Sequence, residues 1–180
     1  MIDSLETRKG VVTLRPAQLE DASAYKALRL RALREEPTAY SSDYEESRAR
    51  PERTWTDNLR MDQPTLLAVT LFALHEQELI GMATVLLPKS IKLRHAASLV
   101  GVYVDLEWRG YHIANALIEN CEEWARLRKA SLIKLQVTSN NLPAIGLYAR
   151  RGYQDYGLEP QGIRVEGVDY DQRLMAKILS

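Results

Sequence analysis

Apolar residues recur along this chain in two periods. Across residues 96–104, the branched Val100, Val102 and Val104 are spaced by two, which suits one buried face of a β-strand. From residue 113 the spacing becomes helical. Ile113, Ala114, Leu117, Ile118, Cys121, Trp124 and Ala125 form an apolar stripe, with Asn115, Glu119, Asn120, Glu122, Glu123 and Arg126 between them. The turn between the two, residues 105–112, delivers the chain directly into the helix. The first N–H groups of such a helix have no intrahelical acceptor and lie at the positive end of its dipole. A helix start of this kind holds anions, commonly phosphates. Arg109 stands at its mouth, where a residue following the dipole alone would be acidic.

The same reading extends to the rest of the chain. Residues 11–15 predict a short strand stopped by Pro16, and Asp21 caps a helix over 22–35 that ends before Pro37. Residues 38–50 are polar apart from Tyr40 and Tyr44. Pro51 then suits the first turn of a helix reaching about Met61. Two β-rich runs, 65–74 and 78–87, predict an antiparallel hairpin. After the central turn and helix come a strand over 133–138, a helix from Pro143 to about Arg150, and strands over 153–158 and 170–178 joined by a loop. The order predicts an α/β fold with a mixed central sheet and helices on both sides. The strands flanking the central helix are expected to be parallel. No repeat or linker divides the chain, so residues 1–180 read as one domain.

Composition narrows the function classes. Lys plus Arg and Asp plus Glu balance at 24 each, which leaves no global field to attract nucleic acid or anionic lipid. No apolar run reaches membrane-spanning length, and the N-terminus lacks the apolar core of a signal peptide. The single Cys121 lies on the helix stripe and reads as a packed core residue in a cytoplasmic setting. No metal-ligand spacing is present.

Two blocks carry a family resemblance. Residues 109–114, Arg-Gly-Tyr-His-Ile-Ala, resemble the R/Q-x-x-G-x-G/A loop of the GCN5-related N-acetyltransferases, the GNAT family; His112 stands where that family usually has glycine. Residues 141–153 resemble its second block, N-x-x-A-x-x-L-Y-x-x-x-G-F/Y, through Asn141, Ala144, Leu147, Tyr148, Gly152 and Tyr153. The two blocks follow successive strands, which makes the pair far more specific than either alone.

The resemblance implies the GNAT fold and an acetyl-CoA-dependent N-acetyltransferase. Such an enzyme moves the acetyl group to a primary amine of a small molecule or peptide by direct attack through a tetrahedral intermediate. The coenzyme's pyrophosphate is expected on the N–H groups of Gly110, Tyr111, His112, Ile113 and Ala114, with Arg109 adding charge. Its pantetheine arm is expected along Val102, Tyr103 and Val104, one of whose N–H groups (near Val102 or Tyr103) would polarise the thioester carbonyl. Asn141, Ala144 and Tyr148 complete the coenzyme contacts. Tyr148 is also the expected general acid for the departing thiolate, with a ring packed on the sheet as its structural alternative. Fold analogy places the acceptor beside Tyr40, Tyr44, Glu45 and Tyr170. A homodimer is compatible with this reading.

The general base is not evident. Residues 96–104 contain no carboxylate, Glu107 reads as solvated, and His95 stands at the mouth of the strand. Deprotonating a lysine amine at neutral pH costs about 4.6 kcal/mol and an α-amine only about 1, so a weak base favours the less basic amine. A catalytically silent acyl-CoA-binding sensor or partner module is the alternative. A dinucleotide enzyme would need a glycine-rich turn after residues 11–15, and none follows.

Overall fold

The computed structural model describes residues 3–59 and 67–179. Eight strands form a single mixed sheet in the order β1-β2-β3-β4-β5-β6-β8-β7. They are β1 Ser4–Thr7, β2 Gly10–Pro16, β3 Ala68–His75, β4 Glu78–Leu86, β5 Ala96–Val104, β6 Leu132–Thr138, β7 Gln154–Val165 and β8 Val168–Ile178. The α-helices are α1 Ala22–Glu35, α2 Tyr44–Arg48, α3 Glu52–Leu59, α4 Ile113–Leu127 and α5 Leu142–Arg150. The expected helix end at Met61 and strand start at Thr65 lie outside the described residues.

The core has two faces because the sheet is covered on both sides. Ile113, Leu117, Ile118 and Cys121 of α4 pack on Val69, Leu71, Val85 and Leu99. On the opposite face, Leu28, Ala32 and Leu33 of α1 and Leu59 of α3 pack on Phe72, Met82 and Tyr103. Each fully buried aliphatic side chain of this kind contributes about 1.5–3 kcal/mol.

β5 and β6 are parallel, as the crossover through α4 requires, but they pair only from Ala96↔Leu132 to Ser98↔Lys134. Beyond that point the two strands part, and the edge of β5 from Leu99 onward faces a gap. β5 is also bulged. Thr84 pairs with Val100 and Met82 with Tyr103, so Gly101 and Val102 together oppose Ala83. Gly101 takes φ +64, a left-handed conformation in which glycine has no steric cost.

The bulge corrects the expectation that Val100, Val102 and Val104 share one buried face. Val100 is 41% exposed, whereas Val102 and Val104 continue the α4-side face begun by Ala97 and Leu99. The C-terminal loop is corrected too: residues 159–165 extend β7, which pairs with β8 and absorbs extra residues between Glu159 and Ile163. β1 and the short α2, capped by Asp43, lie in segments with no usable apolar period. Glu122, expected between the apolar positions of α4, is buried. Its carboxylate accepts from Arg151 at 2.9 Å and Lys177 at 2.7 Å, tying α4 to α5 and β8.

Candidate active site

The start of α4 is built without a cap. His112 is its N-cap residue and makes no capping hydrogen bond, and no acidic residue stands in the first turn. By contrast, Asn141 caps α5 by accepting from the Ala144 N–H. The first helical N–H of α4 with an acceptor is that of Ala116, on the His112 carbonyl at 3.1 Å. The N–H groups of Gly110, Tyr111, His112, Ile113, Ala114 and Asn115 have no acceptor among the described residues. His112 sits at φ +63 and Gly110 at φ +86, with nothing within 4 Å of where a Gly110 Cβ would stand. The left-handed His112 shows why glycine suits that position.

Of these residues Gly110, His112, Ala114 and Asn115 line a cleft of about 400 Å³, with Val102, Tyr103, Val104, Asn141, Ala144 and Arg150, whereas Tyr111 and the core residue Ile113 do not line it. Strand alternation turns the backbone of Val102 and Val104 away from β4 towards the gap. Their carbonyls accept there from the Tyr40 hydroxyl at 3.0 Å and from Arg109 Nε at 3.1 Å. Tyr103 differs, since its backbone faces Met82 across the sheet. Its hydroxyl lies 2.6 Å from Glu35 and 2.9 Å from Asp105 on the α1 side. Burial, reinforced by those two carboxylates, pushes the Tyr103 phenol up. Arg109 lines the cleft but is not free, because its guanidinium also pairs with Glu36 at 2.9 Å.

Tyr148 lies in the α4-side core and, unlike Ala144 and Leu147, is not among the residues lining the cleft. It is 8% exposed and meets Tyr153 edge-on at 5.7 Å between centroids. Burial raises its pKa, helped by the nearby Tyr40 and Cys121, so the phenol keeps its proton at neutral pH. Cys121 is fully buried and its thiol is pushed up by that burial.

A second cleft, of about 490 Å³, meets the first at Ala39 and Tyr40. Of the expected acceptor residues, Tyr40 forms part of its wall. Tyr44 instead bonds to Arg34, Glu45 pairs with Arg48 on the surface, and Tyr170 lies half-buried in β8; none of the three lines the cleft. His95 is exposed at the opposite end of β5 from Val102. Sequence reasoning missed Arg29 and Arg50, which both line this second cleft. Arg29 falls in the basic run of α1, and nothing in its spacing distinguishes it from Arg31 or Arg34.

The sequence profile described as the acetyltransferase (GNAT) family matches residues 29–153. The chain belongs to this family. It is 25% identical over 171 residues to the L-amino acid N-acetyltransferase AaaT of Escherichia coli K12, covering 93% of this chain and 98% of that one. A GNAT acetyltransferase from Streptococcus pneumoniae superposes with TM-score 0.83 at 22% identity, over 94% of this chain and 99% of the other. The Salmonella typhimurium acetyltransferase yncA, solved with acetyl-CoA, superposes with TM-score 0.81 at 20% identity, over 94% of each chain. The shared architecture is thus the GNAT fold.

Proposed function

We propose that this GNAT protein is an acetyl-CoA-dependent N-acetyltransferase acting on a primary amine. The observation that carries this reading is the row of N–H groups without acceptors at the start of α4, where Gly110, His112, Ala114 and Asn115 line the same cleft as Val102 and Val104 of β5. The residues present fit the coenzyme: orphan amides at a helix start suit a pyrophosphate, and an open strand edge suits an extended amide-bearing arm.

Acetyl-CoA, when bound, supplies an activated acetyl thioester. The chain's own groups divide the remaining work. Gly110 through Ala114 hold the anionic end, with Arg109 and Arg150 adding charge. Val102 and Val104 offer N–H donors along the strand edge. Asn141 uses its carbonyl oxygen to cap α5, which leaves its NH2 group to face the cleft. Tyr148 keeps its phenolic proton and serves as the proton donor to the leaving sulfur. In the net reaction the ammonium loses two protons as an N–C bond replaces the C–S bond. One proton ends on the released thiol and the other in solvent.

The test is thiol release from acetyl-CoA across a panel of amines, with coenzyme affinity followed in parallel by calorimetry. Amine-dependent release with formation of the acetylated amine supports the reading. Tight coenzyme binding with no turnover on any amine overturns it in favour of a silent acyl-CoA-binding module.

A further inference from the structure

The acceptor-side cleft carries a charge pattern that the family reading does not use. Several arginines of this protein pair with carboxylates: Arg15 with Asp21, Arg31 with Asp105, Arg151 with Glu122. Arg29 is different. Its guanidinium stacks over the Tyr40 ring at 4.4 Å and has no carboxylate partner among the described residues. Arg50 lines the same cleft, also without one, and among the described residues no Asp or Glu contributes to its wall. Withdrawing a guanidinium from water without a counter-charge is costly, and a folded chain ordinarily provides the anion itself. The missing anion is therefore assigned to a ligand.

Position narrows what that anion is. Tyr40, on which Arg29 stacks, bonds through its hydroxyl to the Val102 carbonyl. Arg29 Nη1 also lies 3.9 Å from where a Cβ on Gly101 would stand, against the bulge of β5. The cation is thus within about one tyrosine side chain of the strand edge at which the acetyl group would be presented. An acceptor spanning these points carries its negative group close to its nitrogen. Resting on the N-acetyltransferase reading above, we infer that the second cleft binds an α-amino acid, with Arg29 as the primary anchor for its carboxylate and Arg50 as a second cation. The planar fork of Arg29 suits a bidentate carboxylate.

The same arrangement bears on the absent general base. Two nearby cations disfavour an ammonium, and neutralising the acceptor's own carboxylate removes the charge that most favours it. The amine then gives its proton to water more readily than it does free in solution. A diamine or an aminoglycoside-like polycation would meet uncompensated repulsion instead.

The experiment compares amino acids with their decarboxylated amines, for example leucine with isopentylamine and phenylalanine with phenethylamine. Thiol release is measured for wild type, Arg29→Gln, Arg29→Lys and Arg50→Gln. Binding of the same amino acids to CoA-loaded protein is followed by calorimetry. The expected result is a preference for the acid of about 10- to 100-fold in kcat/KM. In Arg29→Gln that ratio collapses through KM, in Arg29→Lys it is partly restored, and Arg50→Gln lowers it less. Should Arg29→Gln fail to fold, the wild-type ratio and the Arg50→Gln ratio still decide. Amines accepted as well as their parent acids overturn the carboxylate anchor while leaving the N-acetyltransferase reading intact. Amino-acid binding that depends on Arg29, with no turnover of any acceptor, overturns that reading and keeps the anchor.

Discussion

The Tyr40 hydroxyl donates to the Val102 carbonyl at 3.0 Å, and this bond joins the segment after α1 to the bulged part of β5. Tyr40 lines both clefts, so the bond stands in the wall between them. Its phenol is pushed up by burial, against the opposing pull of Arg29, and remains a donor at neutral pH. Tyr40→Phe keeps the ring and its stack with Arg29 while removing the bond. We expect a stability loss of about 1 kcal/mol in urea titrations and a lower kcat/KM for the acceptor. A variant unchanged in both would show that Tyr40 only fills space.

His112 holds a left-handed backbone at the mouth of α4. His112→Gly relieves about 1 kcal/mol of steric cost, partly offset by the freedom glycine gains in the unfolded chain. Stability is expected to stay level or rise, with acetyl-CoA affinity equal or improved by calorimetry. A large loss of affinity would instead mean that the imidazole itself contacts the phosphates.

Arg109 is shared between Glu36, the Val104 carbonyl and the cleft. Arg109→Ala is expected to weaken acetyl-CoA binding, more strongly at low salt where its charge is least screened. Affinity that does not change at either ionic strength would place the anion elsewhere.

Tyr148→Phe keeps the edge-on packing against Tyr153 and removes the proposed proton donor. General acid catalysis contributes about 10²- to 10⁴-fold, and a thiolate leaves easily, so a kcat loss of roughly 10² is expected with little change in coenzyme affinity. Near-wild-type kcat under rate-limiting chemistry would make Tyr148 a core aromatic and water the acid.

Acid stability depends in part on Asp21. Burial alone would raise its pKa, but bonds from Arg15 at 2.7 and 2.8 Å and from the Gln18 N–H outweigh it and lower the value. A carboxylate lowered on folding contributes stability that is full above its unfolded pKa, about 4, and is lost as pH falls through the folded value. The stability gap between wild type and Asp21→Asn should therefore narrow below about pH 4 in urea titrations. A gap constant down to pH 2 would remove Asp21 from the acid transition.

Local periodicity determined much of this protein before any contact was known. Pro37 stops α1, Ala22–Glu35, and the switch from a two-residue to a helical period marks β5 and α4, whereas Asp21 stands at the N-cap position of α1 without the expected side-chain cap, its carboxylate being taken by Arg15 and the Gln18 N–H. The blocks at 109–114 and 141–153 belong to that local level too, because a turn entering a helix and a capped helix are specified by neighbouring residues. Tertiary structure decided the rest. Val100 turned outward because β4 offers Ala83 alone opposite Gly101 and Val102, a mismatch visible only once the two strands pair. β7 runs through a stretch with no apolar alternation because an edge strand needs hydrogen bonds from β8 and no buried face. Glu122 is buried because Arg151 and Lys177 arrive from later elements to neutralise it, whereas none of the described residues lining the cleft of Arg29 is a carboxylate. Helical and strand periods are short-range properties of the chain. The fate of a charge depends on which distant partner, if any, the fold brings to it.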